Sequence, residues 1–165
     1  LFRGWSPLVA LQIEYSLISR GPEAHIFPLL DELGIGVTAY GVLSRGLLSG
    51  SRPQGPTDFR AWLPRFAGDN LARNQRLVDA LAGIARDLGA TTSQLAIAWA
   101  LARGPAIVPL IGARTRAQLE ESLGALALRL DADQLARIEA AVPEGAVAGT
   151  RYGADQMRHL DSERA

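Results

Sequence analysis

"IGVTAYGVLSRGLLSG", residues 35–50, decides how this chain is read. An apolar run ends in an aromatic, Tyr40. The chain then returns to Gly or Ser at Gly41, Ser44, Gly46 and Ser49, around a single cation, Arg45. An apolar run closed by small residues reads as a buried strand entering a loop. Upstream, "LVALQIEYS" (8–16) reads as another strand, with Gln12, Glu14 and Ser16 on one face and Leu11, Ile13 and Tyr15 on the other. Between them "GPEAHIFPLLDELG" (21–34) reads as a helix, with Pro22 in its first turn and Gly34 as its stop.

The same alternation continues downstream. Residues 51–68 hold three prolines, two glycines and three aromatics, and read as a long structured loop. Loops of that length are uncommon unless functional. Phe59, Trp62 and Phe66 either pack as the loop's own small core or form a lid over a ligand. From Leu71, the spacing of Leu77, Leu81, Ile84 and Leu88 predicts a helix ending at Gly89. "TTSQ" (91–94) is a capping box opening a helix that runs to Arg103 and stops at Gly104-Pro105. "AIVPLI" (106–111) is the third strand. Pro109 suits a bulge or site opening better than a central strand, since it cannot donate to the ladder. "TRAQ" (115–118) opens a further helix expected to turn Leu119, Leu123 and Leu126 inward. "DADQLARIEAAV" (131–142) is another helix, closed by Pro143, and the tail is Gly-rich, then helical around "DQMRHLDSER".

Strand–helix alternation is the signature of a parallel sheet. Three strands and about five helices are too few for a closed (β/α)8 barrel, which needs eight strands. The expected fold is therefore α/β, a single partial domain over residues 1–165, with three adjacent parallel strands and helices on one side only. Its open edges and inward face predict association, as a homodimer or with a missing half-barrel, rather than a well-behaved monomer.

Composition narrows the function classes. The chain has 165 residues, 48% hydrophobic, which excludes disorder. Lys+Arg and Asp+Glu both total 17, so no charge excess points to nucleic acid. There is no cysteine, which fits a reducing cytoplasm. No apolar stretch reaches the roughly 18 residues of a membrane span, and no signal peptide is visible. The first residue is Leu1, so the chain is expected to open inside a longer reading frame, behind a cleaved tag or at a processing site.

Two loops carry candidate chemistry. The third strand ends at Gly112, and a helix begins at Thr115 between Arg114 and Arg116. Helix N-termini attract anions, and in (β/α)8 barrels the loops after the last two strands commonly form a phosphate site. Each loop alone reads as ordinary turn geometry with a solvated charge; the pair together favours one anion site. Tyr40, at a strand end, is either a core tyrosine or part of a barrel mouth. Gln12 would point into a barrel, where a ligand carboxamide would satisfy its amide. His25 and His159 have no carboxylate at metal-ligand spacing, and no nucleophile motif appears.

"LQIEYSLISR", "LGIGVTAYGVLSRGLLSG", "LPRFAGDNLARN", "TTSQLAIAWALARG" and "VPLIGARTRAQLEESLGAL" together resemble the aldo-keto reductase superfamily, in its bacterial NADP-linked branch. The likeness runs from about residue 5 to the C-terminus. It covers the sixth, seventh and eighth strands, so it implies the C-terminal half of a (β/α)8 TIM barrel. The resemblance implies that Tyr40 stacks on the nicotinamide ring and that Gly41, Leu43, Arg45 and Gly46 lie along the pyrophosphate. It places Gln12 on the carboxamide, Gly112, Arg114 and Gln118 around the 2′-phosphate, and Glu121 and Ser122 beside the adenine. Gly41 and Val42 depart from the family's usual Ser and Pro, and Ser122 from its usual Asn. The family's catalytic Asp, Tyr, Lys and His have no match here. The resemblance therefore implies an NADP-dependent enzyme that, when complete, reduces a small-molecule carbonyl substrate; this chain alone is expected to be inactive. The competing readings are a non-catalytic nicotinamide-nucleotide-binding subunit and an unrelated phosphate-binding TIM-barrel enzyme.

Overall fold

The computed structural model describes residues 8–104 and 106–160. Three strands, β1 (Ala10–Glu14), β2 (Gly36–Tyr40) and β3 (Ile107–Pro109), form one sheet in the order β1-β2-β3. Both pairings are parallel, with Gln12 beside Thr38 and Thr38 beside Val108. The expected parallel, adjacent strands are what the backbone adopts. Pro109 sits at the end of β3. Ala106 accepts from Val37 N–H and Leu110 donates to Ala39, so these alternate residues face β2. Pro109 then faces the unpaired edge, where its missing N–H costs no ladder bond.

The helices are α1 (Pro22–Leu33), α2 (Asp69–Asp87), α3 (Thr92–Ala102), α4 (Arg116–Gly124), α5 (Ala132–Ala141) and α6 (Ala154–Met157). Capping boxes at Thr91/Gln94 and Thr115/Gln118 start α3 and α4 where expected, and Asp131/Gln134 starts α5. The stop assigned to Gly104-Pro105 and the tail beyond Leu160 fall partly outside the described residues. No helix among the described residues is long and apolar enough to cross a membrane.

The core lies on one face of the sheet. Tyr15, Val37, Ala39 and Ile107 are buried there against Leu81, Leu95, Trp99 and Ile138. The opposite face is bare toward its start: Gln12 is exposed and Val108 is 59% exposed. α3 is apolar on almost every side, since Leu95 through Ala100 are all buried; a helix of this kind belongs in an interior. On α2 the buried stripe runs Asn74, Val78, Leu81, Ile84 and Ala85, with Leu77 and Leu88 only partly covered.

Two local expectations are corrected. Leu119, Leu123 and Leu126 point outward, each half-exposed or more. α4 instead meets α3 through its small residues: Gln94 Nε2 donates to Glu121 O at 3.0 Å, and a Cβ on Gly124 would collide with the Gln94 side chain. Ala125 follows into the core, which leaves the leucines on the far side. In the 51–68 loop, short 3-10 turns form at Phe59–Trp62 and Pro64–Phe66. Phe66 is buried, but Phe59 and Trp62 are exposed, so the three rings build no core of their own. Buried Arg65 fixes the loop instead, donating to Ile18 O at 2.7 Å and to Ser19 and Ser44 Oγ at 3.0 and 3.1 Å.

Candidate functional site

The chain after β2 turns sharply. Ser44 and Arg45 have φ of 47° and 55°, and Gly46 has φ of 91°. A left-handed backbone costs a non-glycine residue roughly 1–2 kcal/mol, and such strain gathers at ligand sites. Ser44 N–H bonds Gly41 O at 2.7 Å and Gly46 N–H bonds Leu43 O at 2.9 Å, holding the turn closed. Gly46 is required twice over, by its φ and because a Cβ would meet Ser51 Cβ at 3.0 Å.

This turn forms one wall of a groove of about 420 Å³, and the loop after β3 with the first turns of α4 forms the other. Gly41, Leu43, Arg45 and Gly46 line the first wall; Gly112, Arg114, Gln118, Glu121 and Ser122 line the second. Gln12 and Tyr40 lie outside this lining. Gln12 stands exposed on β1, and Tyr40 is half-buried at the end of β2, one residue before the groove begins. Burial, followed by the neighbouring Tyr152 and Glu14, raises the Tyr40 phenol above its ordinary pKa. Tyr15 is fully buried on the helix side and donates to Glu23 at 2.6 Å, so it does not serve the groove.

Two groups are already engaged. Gln118 Oε1 accepts from the backbone of Arg114 at 2.8 Å and of Thr115 at 3.3 Å. Its oxygen therefore caps the helix, and its NH2 remains the group that can donate to a ligand. Those two N–H groups are consequently spoken for within the chain. Ser122 Oγ donates to Gln118 O at 2.8 Å within the helix. Arg114 is exposed and makes no ion pair among the described residues.

Gly112 behaves unlike Gly46. It has no positive φ, and a Cβ there would meet nothing within 4 Å. The turn does not demand glycine; its small size keeps the groove wall clear, as a ligand lying against the backbone would require.

Arg60 also lines the groove and was not singled out from sequence. It reaches in from the 51–68 loop, donating to Ser51 Oγ at 2.9 Å and Arg45 O at 3.3 Å. Asp58 grips it at 2.7 Å and accepts its backbone N–H at 3.0 Å; those hydrogen bonds hold the Asp58 carboxyl below the usual carboxylate range. The Asp-x-Arg spacing is the local signal that marks this turn. Glu14, Arg151 and Tyr152, gathered behind Arg45, also escaped sequence reading. Among the described residues no group of His, Asp and Glu is placed to hold a metal ion.

Parallel strands and outer helices, with an arginine-lined groove beyond the strands' C-terminal ends, define a partial α/β barrel. The chain belongs to the aldo/keto reductase family, whose pattern matches residues 2–143. It is 40% identical over 149 residues to a probable aldo-keto reductase of Glycine max, covering 88% of this chain and 43% of that protein. It is 34% identical over 163 residues to an aldo-keto reductase of Strobilurus tenacellus, covering 94% of this chain and 48% of that one. Its fold matches a glycerol dehydrogenase of Gluconobacter oxydans with a TM-score of 0.77 at 27% identity, over 85% of this chain and 44% of that structure. A thermostable aldo-keto reductase bound to epalrestat matches with a TM-score of 0.63 at 25% identity, over 83% and 41%. The chain thus spans less than half the length of these relatives and forms part of the family's barrel.

Proposed function

We propose that this chain is the C-terminal half of a (β/α)8 barrel and carries the NADP groove of an aldo-keto reductase. The complete protein would reduce an aldehyde or ketone. The supporting observation is the groove itself, whose lining holds Arg45, Arg60 and Arg114 and one carboxylate, Glu121, with Asp58 and Glu14 pairing Arg60 and Arg45 from outside it. The bare face around Gln12 and Val108 would be covered by the remaining strands of the barrel or by a second copy of the chain.

Bound NADPH would supply a hydride to the carbonyl carbon. This chain's residues bind and orient. Arg114, without a carboxylate partner among the described residues, suits the 2′-phosphate through a charge-assisted contact. Gln118 adds an N–H donor, while Glu121 and Ser122 flank the adenine end. The Gly41–Gly46 turn suits the pyrophosphate, with Arg45 as its cation. Tyr40 offers a ring face for the nicotinamide, and Gln12 an amide for its carboxamide.

Arg114→Ala should weaken NADPH binding by about 1.5–3 kcal/mol, the scale of a hydrogen bond to a charged group, and leave NADH binding nearly unchanged. Fluorescence titration of both cofactors measures this. An equal loss for both, or none for either, would remove Arg114 from 2′-phosphate recognition.

A further inference from the structure

Glu14 ends β1 beside Tyr40 and is 1% exposed. A carboxylate buried so fully needs cations. Two guanidiniums approach its Oε2: Arg151, itself 2% exposed, at 3.3 Å, and Arg45 at 3.6 Å. A third, Arg65, is relayed through Ser19 Oγ, which donates to Glu14 Oε1 at 3.3 Å and accepts from Arg65 at 3.0 Å.

Arg45 is therefore shared. It lines the groove, lies near Glu14, and donates to Tyr152 Oη at 2.6 Å. Arg151 makes the closer approach, so two guanidiniums share one carboxylate and the set keeps a net positive charge. Take Arg151 away and the nearest cation for a buried Glu14 is Arg45. In that low-dielectric setting the attraction is strong, and it would draw the guanidinium out of the groove wall.

We propose that Arg151, from the C-terminal tail, is a positioning residue for the cofactor groove: it occupies Glu14 and thereby leaves the charge of Arg45 for a ligand phosphate. This rests on reading the groove as an NADP site. Arg151 touches no ligand itself and acts through the competition of two cations for one carboxylate. Tyr152, next in the chain, sets the second coordinate of Arg45 through its hydroxyl.

The test measures NADPH and 2′,5′-ADP binding to the complete protein and its variants, with circular dichroism as the folding control. Arg151→Met should weaken NADPH about tenfold, as the loss of one charged contact would. It should leave 2′,5′-ADP, which lacks the nicotinamide half, within about twofold. Arg151→Lys should stay near wild type. The double change Glu14→Gln/Arg151→Met removes the competitor and should restore NADPH binding. Equal weakening of both ligands, no weakening by Arg151→Met, or a double variant no tighter than the single one would each overturn the proposal. Should Arg151→Met fail to fold, the double variant decides: wild-type-like NADPH binding supports the proposal and tenfold weakening overturns it. If the complete wild-type protein binds neither ligand, the cofactor reading fails and this proposal with it; if it binds both, only the role of Arg151 is at stake.

Discussion

Trp99→Ala is expected to destabilise the chain by about 3–5 kcal/mol, the cost of truncating a large aromatic in a packed core. Trp99 is fully buried at the heart of α3. Its ring stacks on Tyr15 at 5.3 Å, and the guanidiniums of Arg20 and Arg103 lie 5.5 and 5.6 Å from its centroid. Its Nε1 donates to Glu139 at 3.1 Å. Alanine would leave a cavity and two cations without their ring, while Glu139 would keep its pairing with Arg103. Domains are stable by only about 5–15 kcal/mol, so this change removes roughly a fifth or more of the total. Urea unfolding followed by far-ultraviolet circular dichroism measures it; a loss under about 1 kcal/mol would show that the ring does not organise this core.

The same cluster makes stability fall in acid. Glu23 is partly buried, which pushes its pKa up, but Arg20 at 2.8 Å, the Tyr15 hydroxyl and Arg103 outweigh burial and hold it below the ordinary value. A carboxyl depressed in the folded state contributes stability above its unfolded pKa and loses it as pH falls through the folded one. The urea midpoint should drop from neutral pH into the acid range, and Glu23→Gln should flatten that dependence. An unchanged slope in the variant would remove Glu23 from the acid response.

Asn74→Ala is the second large effect, expected near 3 kcal/mol from leaving buried backbone groups unpaired, at about 1–3 kcal/mol each. Asn74 is 1% exposed on α2. Its Nδ2 donates to Arg65 O and Ala148 O, both at 2.9 Å, and its Oδ1 accepts from Ala148 N at 2.7 Å. One side chain therefore ties the 51–68 loop to the tail that carries Arg151 and Tyr152. Gly149 completes the fit: its φ is 81°, and a Cβ would come within 2.7 Å of the Pro64 carbonyl. Losing Asn74 should speed proteolytic cleavage of the tail as well as lower the unfolding midpoint. Unchanged stability and an equally protected tail would contradict this role.

Much of the framework follows from the sequence alone, because the forces involved act over a few residues. Apolar runs at 8–16, 35–40 and 106–111 each contain a strand, and capping boxes start α3 and α4 at the expected threonines. Parallel order follows from strand–helix alternation. The residues named around Arg45 and Arg114 line one groove because each set belongs to a loop directly after a strand.

What only the tertiary structure decided depends on partners distant in the chain. Glu14 reads only as one of the polar residues on a face of the first strand; the cations that match it in the interior, Arg151 closest, come from distant parts of the chain. Asn74 reads as a polar helix residue, and only the returning tail gives it backbone groups to satisfy. Leu119, Leu123 and Leu126 have core spacing, yet the contact of Gln94 with Glu121 and the glycine at 124 turn α4 so that they face outward. Periodicity and capping specify which elements form; which face is buried, and which charge is matched, is fixed when those elements meet, since desolvation and ion pairing are properties of the assembled interior.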